Sequence, residues 1–85
     1  MPKTGHYQAV CAEIIRLLRV ERKQRGLSNY AISQSSGVSE SMLSLVDRGL
    51  RNPSMELMLK ISGGIGADLP TLIKKAQATV SRKEK

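Results

Sequence analysis

The chain has 85 residues, and its 14 Lys and Arg against 7 Asp and Glu give a net charge of +7 at pH 7. This length fits one domain, and the absence of Phe and Trp requires an aliphatic core. No apolar run reaches the roughly 18 residues of a membrane span, and no apolar segment of a signal peptide precedes Gln8, so we expect a cytoplasmic protein without a membrane partner.

Apolar periodicity and capping residues predict five helices and no strand. The first three cover Tyr7–Gln24, Asn29–Ser36 and Glu40–Arg48. Ser28 and Ser39 are suitable N-caps for the second and third helices. Gly37 lies between these two helices, where a tight turn favours a residue that tolerates positive φ. The sequence therefore predicts a helix-turn-helix in the middle of the chain.

The fourth helix is predicted to begin after the N-cap Ser54 and to stop at the glycines from Gly63 to Gly66. Apolar residues then recur at helical spacing in a fifth helix, at Leu69, Leu72, Ile73, Ala76 and Val80. From Ser81 onward we expect the chain to be frayed. These boundaries predict a flexible lead at residues 1–6, a helical domain at residues 7–76 and a basic tail at residues 77–85.

Positive charge lies on both sides of the central helix pair. Arginine and lysine crowd residues 16–25 and again residues 74–85, whereas none lies between Gly26 and Asp47. A small basic domain is typical of a protein that binds nucleic acid. We therefore expect the flanking cations to supply affinity for phosphate. The alternative for each of them is that it lies on a solvated helix surface and binds nothing.

Four short blocks carry a resemblance to a known family. They are RGLS at residues 25–28, SGVS at residues 36–39, DRGLRNPS at residues 47–54 and GADL at residues 66–69. At these spacings the segment from Ile14 to Ile73 resembles the Cro/cI-like (XRE) family of helix-turn-helix DNA-binding domains, of the phage-repressor type. The resemblance implies an all-α, compact five-helix bundle of the lambda-repressor-like type, with the helix-turn-helix at helices 2 and 3.

The resemblance also implies which residues would contact DNA. In this family helix 3 lies in the major groove with its N-terminal residues on base edges. By position, the base contacts would be Glu40, Ser41, Ser44 and Leu45. The contacts to the DNA backbone would be Asn29, Ser39, Arg48, Arg51 and Asn52. Arg22 late in helix 1 would form an ion pair with Asp47 at the end of helix 3.

The sequence departs from the family pattern at three places. Ser33 stands where Ala is usual and Ser36 where Leu is usual, so we expect helix 2 to pack loosely. Glu40 is unusual in a reading position. A glutamate can accept a hydrogen bond from cytosine N4, but it also repels phosphate.

The apolar stripe of helix 5 is longer than a single small core needs. We expect Leu72, Ile73, Ala76 and Val80 to form a two-fold dimer interface. The alternative is that this helix simply packs on helix 1.

Two functions from different classes follow. The first is a sequence-specific transcriptional regulator that binds a palindromic operator in double-stranded DNA as a homodimer. The second is an antitoxin or adaptor-type protein-interaction module on the same fold, with a partner such as a toxin. Neither is an enzyme, because the single histidine, His6, lies in the predicted lead, where no catalytic triad or metal site can be built around it. We therefore expect no catalytic residue, no metal and no cofactor.

Overall fold

The structure, a computed structural model, describes residues 5–83. Within that range it contains α-helices and turns and no strand. The helices are α1 (His6–Gln24), α2 (Asn29–Ser36), α3 (Glu40–Asp47), α4 (Met55–Ile65) and α5 (Leu69–Lys83). The predicted all-α fold of five helices is confirmed.

Three serines begin the central helices as predicted. The hydroxyl oxygens of Ser28, Ser39 and Ser54 each accept a hydrogen bond of 3.1 Å from the backbone N–H three residues along the chain. Such a cap stabilises a helix by about 1 kcal/mol. Gly37 turns the chain between α2 and α3 with a φ of 79°. Local sequence therefore determines where the helix-turn-helix begins and turns.

Of the three glycines predicted to stop α4, Gly66 does so, whereas Gly63 and Gly64 do not. Gly63 and Gly64 are helical, and α4 ends at Gly66, which has a φ of 84°. Gly64 is required by close packing, because a Cβ there would lie 2.9 Å from Ser36 Cβ and 3.0 Å from Ser35 Oγ. The absence of a side chain at Gly64 thus lets α2 cross α4 closely.

The loose packing expected for α2 was also wrong. Ile32 is almost fully buried, and α2 packs against both α3 and α4. The Ser35 hydroxyl donates a hydrogen bond of 3.0 Å to the Gly64 carbonyl oxygen. The Ser36 Cβ also lies at this close helix crossing, directly opposite Gly64.

Helix α5 extends further than the sequence predicted. It continues through Ser81 to Lys83, and Val80 is buried on it. The predicted boundary between residues 76 and 77 therefore falls inside this helix. At the other end, α1 begins at His6, so this residue belongs to a helix, while residues 1–4 of the predicted lead lie outside the described residues.

The core is aliphatic, and four of its fifteen buried side chains among residues 5–83 lie on α1. Its buried side chains include Val10, Ile14, Ile15 and Leu18. Helix α1 contacts α3, α4 and α5, whereas α5 contacts α1 and α4 but neither α2 nor α3. Helix α1 therefore stands between α5 and the helix-turn-helix, which places α5 away from the predicted DNA-reading helix.

Candidate nucleic-acid interface

Helix α3 has one buried face and one accessible face. Leu43 and Val46 are buried in the core, and they fix the orientation of the helix. The four residues predicted to contact bases lie on the opposite side: Glu40 and Ser41 are exposed, and Ser44 and Leu45 are partly exposed. The structure therefore brings these four side chains together on one surface of an eight-residue helix.

An ion pair connects the end of α3 to α1. Arg22 Nη2 lies 3.6 Å from Asp47 Oδ2, and both side chains are partly buried. Arg22 Nη1 also donates a hydrogen bond of 3.0 Å to the Leu27 carbonyl oxygen, just before α2. One guanidinium therefore connects α1, the start of the helix-turn-helix and its end, which is the pairing that the family resemblance implied.

Arg19 adds a second link that sequence reasoning missed. Its guanidinium donates a hydrogen bond to the Asp47 backbone carbonyl oxygen. A cation at the carboxyl end of a helix complements the helix dipole, so this contact also stabilises the end of α3. The signal available in the sequence was that Arg19 precedes Arg22 by one helical turn and shares its face.

The other arginines near the end of α1 form ion pairs on their own helix. Arg16 Nη2 lies 2.7 Å from Glu13 Oε2, and Arg25 Nη2 lies 3.2 Å from Glu21 Oε2. The two hydrogen bonds from Arg16 hold the pKa of Glu13 below its usual value, although burial acts in the opposite direction. The arginines in residues 16–25 thus each have a partner within the protein, whereas Lys23 is exposed. That the cations of this segment supply affinity for phosphate stays a prediction.

The residues predicted to contact the DNA backbone surround α3. Asn29 begins α2, and Ser39 begins α3, where its hydroxyl still has a proton to donate. Arg48, Arg51 and Asn52 follow α3 and are exposed. Among the residues from 5 to 83, Arg48 and Arg51 have no acidic partner, so both charges are available to a ligand.

The predicted dimer interface on α5 was wrong. Leu72, Ala76 and Val80 are 4%, 0% and 6% exposed, because α5 packs with this stripe against α1. Ile73 is partly buried against the same core. Three of the four predicted interface residues are thus buried within one chain, where they complete its fold.

Large apolar side chains are exposed elsewhere. Leu50, Met55 and Leu59 are 63%, 57% and 54% exposed, and they lie in the turn after α3 and in the first half of α4.

Across residues 5–83 no group of three or more His, Cys, Asp and Glu side chains is arranged to hold a metal ion. No described helix is long and apolar enough to span a bilayer.

Comparison with known proteins identifies the same segment. A helix-turn-helix family matches residues 18–72. The HTH-type transcriptional regulator SlrR of Bacillus subtilis (strain 168) is 38% identical over 58 residues, which cover 67% of this chain and 38% of that protein. The HTH-type transcriptional regulator SinR of Bacillus licheniformis is 32% identical over 59 residues, which cover 68% of this chain and 53% of SinR.

A regulator from Haemophilus influenzae, described as an uncharacterized HTH-type transcriptional regulator, is 32% identical over 56 residues, or 57% of its length. The chain thus spans less than two thirds of each of these relatives. No solved structure matches the chain significantly. The match of residues 18–72 includes the helix-turn-helix, the end of α1 and all of α4, and the chain therefore belongs to the XRE-type helix-turn-helix family.

Proposed function

We propose that the protein is a sequence-specific DNA-binding transcriptional regulator whose α3 lies in the major groove. The observation that carries this proposal is the surface of α3, where polar side chains cluster on a helix that Arg19 and Arg22 fix at its end. The similarity to the HTH-type transcriptional regulators SlrR and SinR supports it. The cytoplasmic location stays a prediction that accompanies this function.

The four residues on α3 can each make a distinct contact with a base pair. The hydroxyls of Ser41 and Ser44 can donate to or accept from base edges, and Leu45 can contact a thymine methyl group. Glu40 can accept a hydrogen bond from cytosine N4, while it disfavours any register that brings phosphate close. Glu40 therefore selects among sequences and does not add general affinity.

Contacts to the DNA backbone come from the residues around α3. Arg48 and Arg51 carry the free charges, and Asn29, Ser39 and Asn52 supply uncharged hydrogen-bonding groups beside them. Such contacts fix the position of the protein on the duplex and carry no sequence information directly. Together they hold α3 in one register on the DNA.

A homodimer on a palindromic operator follows from the size of α3. Its eight residues are about 12 Å long, which corresponds to only about four base pairs of duplex. Two copies related by a two-fold axis double the sequence that is read, with half-sites about 10 base pairs apart. Leu50, Met55 and Leu59 supply the exposed apolar side chains for contact between the copies.

Selection of bound sequences from a random duplex pool tests this function. We expect a palindromic consensus. At about 1 kcal/mol for each lost hydrogen bond, Ser41→Ala combined with Ser44→Ala should weaken binding by about 30-fold for each chain, or about 700-fold for a dimer on the selected duplex. Ser81→Ala on α5 is the matched control and should bind as the wild type does. Enrichment of no sequence, or equal affinity of the double variant, would contradict reading by α3.

The second candidate function is an antitoxin or adaptor that binds a protein such as a toxin. The observation that favours it is Glu40, a carboxylate exposed on a surface with no Lys or Arg between Gly26 and Asp47. This function predicts that the protein binds neither random duplex at low salt nor any selected duplex. It also predicts a stoichiometric complex with one partner protein, which Glu40→Gln would weaken.

A further inference from the structure

The outer surface of α5 carries a row of cations that the helix-turn-helix does not use. Lys74, Ala78 and Arg82 follow one another at a spacing of four residues, and Lys75 lies beside them, seven residues before Arg82. All four are exposed, on the side opposite Leu72 and the rest of the buried stripe. We call Lys74, Lys75 and Arg82 the α5 stripe.

The charges of the α5 stripe have no acidic partner among residues 5–83. None of the three has an ion pair or a side-chain hydrogen bond in the part of the chain that the structure describes, and residues 69–83 contain no Asp or Glu. The cations of α1 differ, because Arg16 and Arg22 have carboxylate partners. The α5 stripe therefore presents three full charges to solvent, where an anionic ligand can reach them.

The α5 stripe lies away from α3. Helix α5 turns its apolar side toward α1, and it touches neither α2 nor α3. The stripe on its outer side therefore faces away from α1, which stands between α5 and α3. A straight duplex bound along α3 does not also run along this surface, so an anion bound to the stripe belongs to a second ligand.

The chemistry of the stripe fits a phosphate backbone better than a protein. Protein interfaces are anchored by aromatic and large apolar side chains, and the only apolar residue here is Ala78. Lys74 and Arg82 are eight residues apart, or about 12 Å along the helix, a length over which duplex DNA carries about seven phosphates. Each of the three cations can therefore reach a phosphate of its own.

We propose that the α5 stripe is a second, sequence-independent DNA site that holds the phosphate backbone of another duplex segment. With α3 on one duplex and the stripe on the other, one chain bridges two DNA segments. The bridging half of this inference depends on the proposed function of α3, whereas binding of DNA by the stripe does not.

A bridging assay tests the inference. Bead-bound duplex captures a labelled second duplex only when the protein holds both. The stripe variant is Lys74→Gln with Lys75→Gln and Arg82→Gln. The charge-matched control is Arg16→Gln with Arg25→Gln and Lys60→Gln, which also removes three charges, each from a pair within one helix. Circular dichroism melting verifies that both variants are folded.

We expect the stripe variant to lose at least tenfold of the captured duplex, and the control to capture as much as the wild type. Three phosphate contacts give a slope of about −2.7 for log affinity against log salt, so raising salt from about 50 to about 200 mM should weaken the second site about 40-fold. Equal capture by the stripe variant, or equal loss in the control, overturns the proposal.

Two further measurements separate the possible failures. Binding of one short duplex in solution should drop in Arg48→Gln combined with Arg51→Gln and should change at most threefold in the stripe variant. If only the stripe variant loses binding, the stripe is a DNA site and the proposed function of α3 fails. If the stripe binds a poly-glutamate peptide and no duplex, it is a protein-docking surface and the inference is overturned.

Discussion

Replacing either of two adjacent glycines of α4 by alanine should change the stability of the fold, but in opposite directions. Gly63 and Gly64 are both helical, so Gly→Ala gains about 0.5–1 kcal/mol of helix propensity at either position. At Gly63 nothing lies within 4 Å of the added Cβ, so Gly63→Ala should stabilise the protein by about that amount.

At Gly64 the added Cβ would lie 2.9 Å from Ser36 Cβ, 3.0 Å from Ser35 Oγ and 3.4 Å from Ile32 Cγ2. Overpacking of this kind costs about 1–3 kcal/mol, and separating the helices also weakens the hydrogen bond from Ser35 to the Gly64 carbonyl oxygen, worth about 1 kcal/mol. The cost exceeds the gain in helix propensity. We expect Gly64→Ala to be less stable than the wild type by about 1–3 kcal/mol.

Urea unfolding followed by circular dichroism measures both changes. In a domain of this size about 1 kcal/mol corresponds to roughly 4–8 °C in Tm, so thermal melting also resolves the two variants. Ser36→Gly removes one of the atoms that the new Cβ meets, so the double variant with Gly64→Ala should show a favourable coupling energy. A Gly64→Ala protein at least as stable as Gly63→Ala would refute the close crossing of α2 and α4.

Three other predictions concern stability. Asp47→Ala should destabilise the fold by about 1–3 kcal/mol in urea unfolding, because Arg22 would lose its carboxylate partner. Arg22 Nε is already buried without a hydrogen-bond partner among the described residues. An unchanged urea midpoint would reject the pairing of Arg22 with Asp47. The lowered pKa of Glu13 contributes stability that is present above its ordinary value of 4.5 and is lost as pH falls through the lowered value, so the Tm advantage of the wild type over Glu13→Gln should shrink in acid. Leu72→Ala should cost about 2–5 kcal/mol without changing the sedimentation coefficient of the folded protein, since Leu72 packs within one chain.

Structural features that depend only on residues close together in the sequence were predictable. A serine accepts a hydrogen bond from the backbone three residues on, so the caps at Ser28, Ser39 and Ser54 follow from local chemistry. The glycines of α4 were not predictable in this way. A helix-breaking tendency is a local property, whereas the reason for Gly64 is the helix that crosses it, 28 residues earlier at Ser36.

The surface of α5 shows a second limit of sequence periodicity. The spacing of Leu72, Ala76 and Val80 identifies an apolar face, but it does not say whether the same chain or a second copy covers it. The pairs on α1 were different, because Glu13 with Arg16 and Glu21 with Arg25 have helical spacings that the sequence displays. The contact of Arg19 with α3 joins residues 28 apart, which only the fold reveals.

Some cations have partners within the protein and others are free to contact phosphate. The number of free cations near α3 determines how strongly salt should weaken DNA binding there. With the arginines of α1 occupied, Arg48 and Arg51 are the free cations next to α3 in the described part of the chain, and two phosphate contacts give a slope of about −1.8 for each chain. Had Arg16, Arg19, Arg22, Lys23 and Arg25 also contacted phosphate, the slope would be near −6. A salt titration of the stripe variant on one short selected duplex isolates this surface. A slope near −6 for each chain would mean that the α1 arginines leave their partners within the protein on binding, and a slope near −2 would mean that they keep these partners.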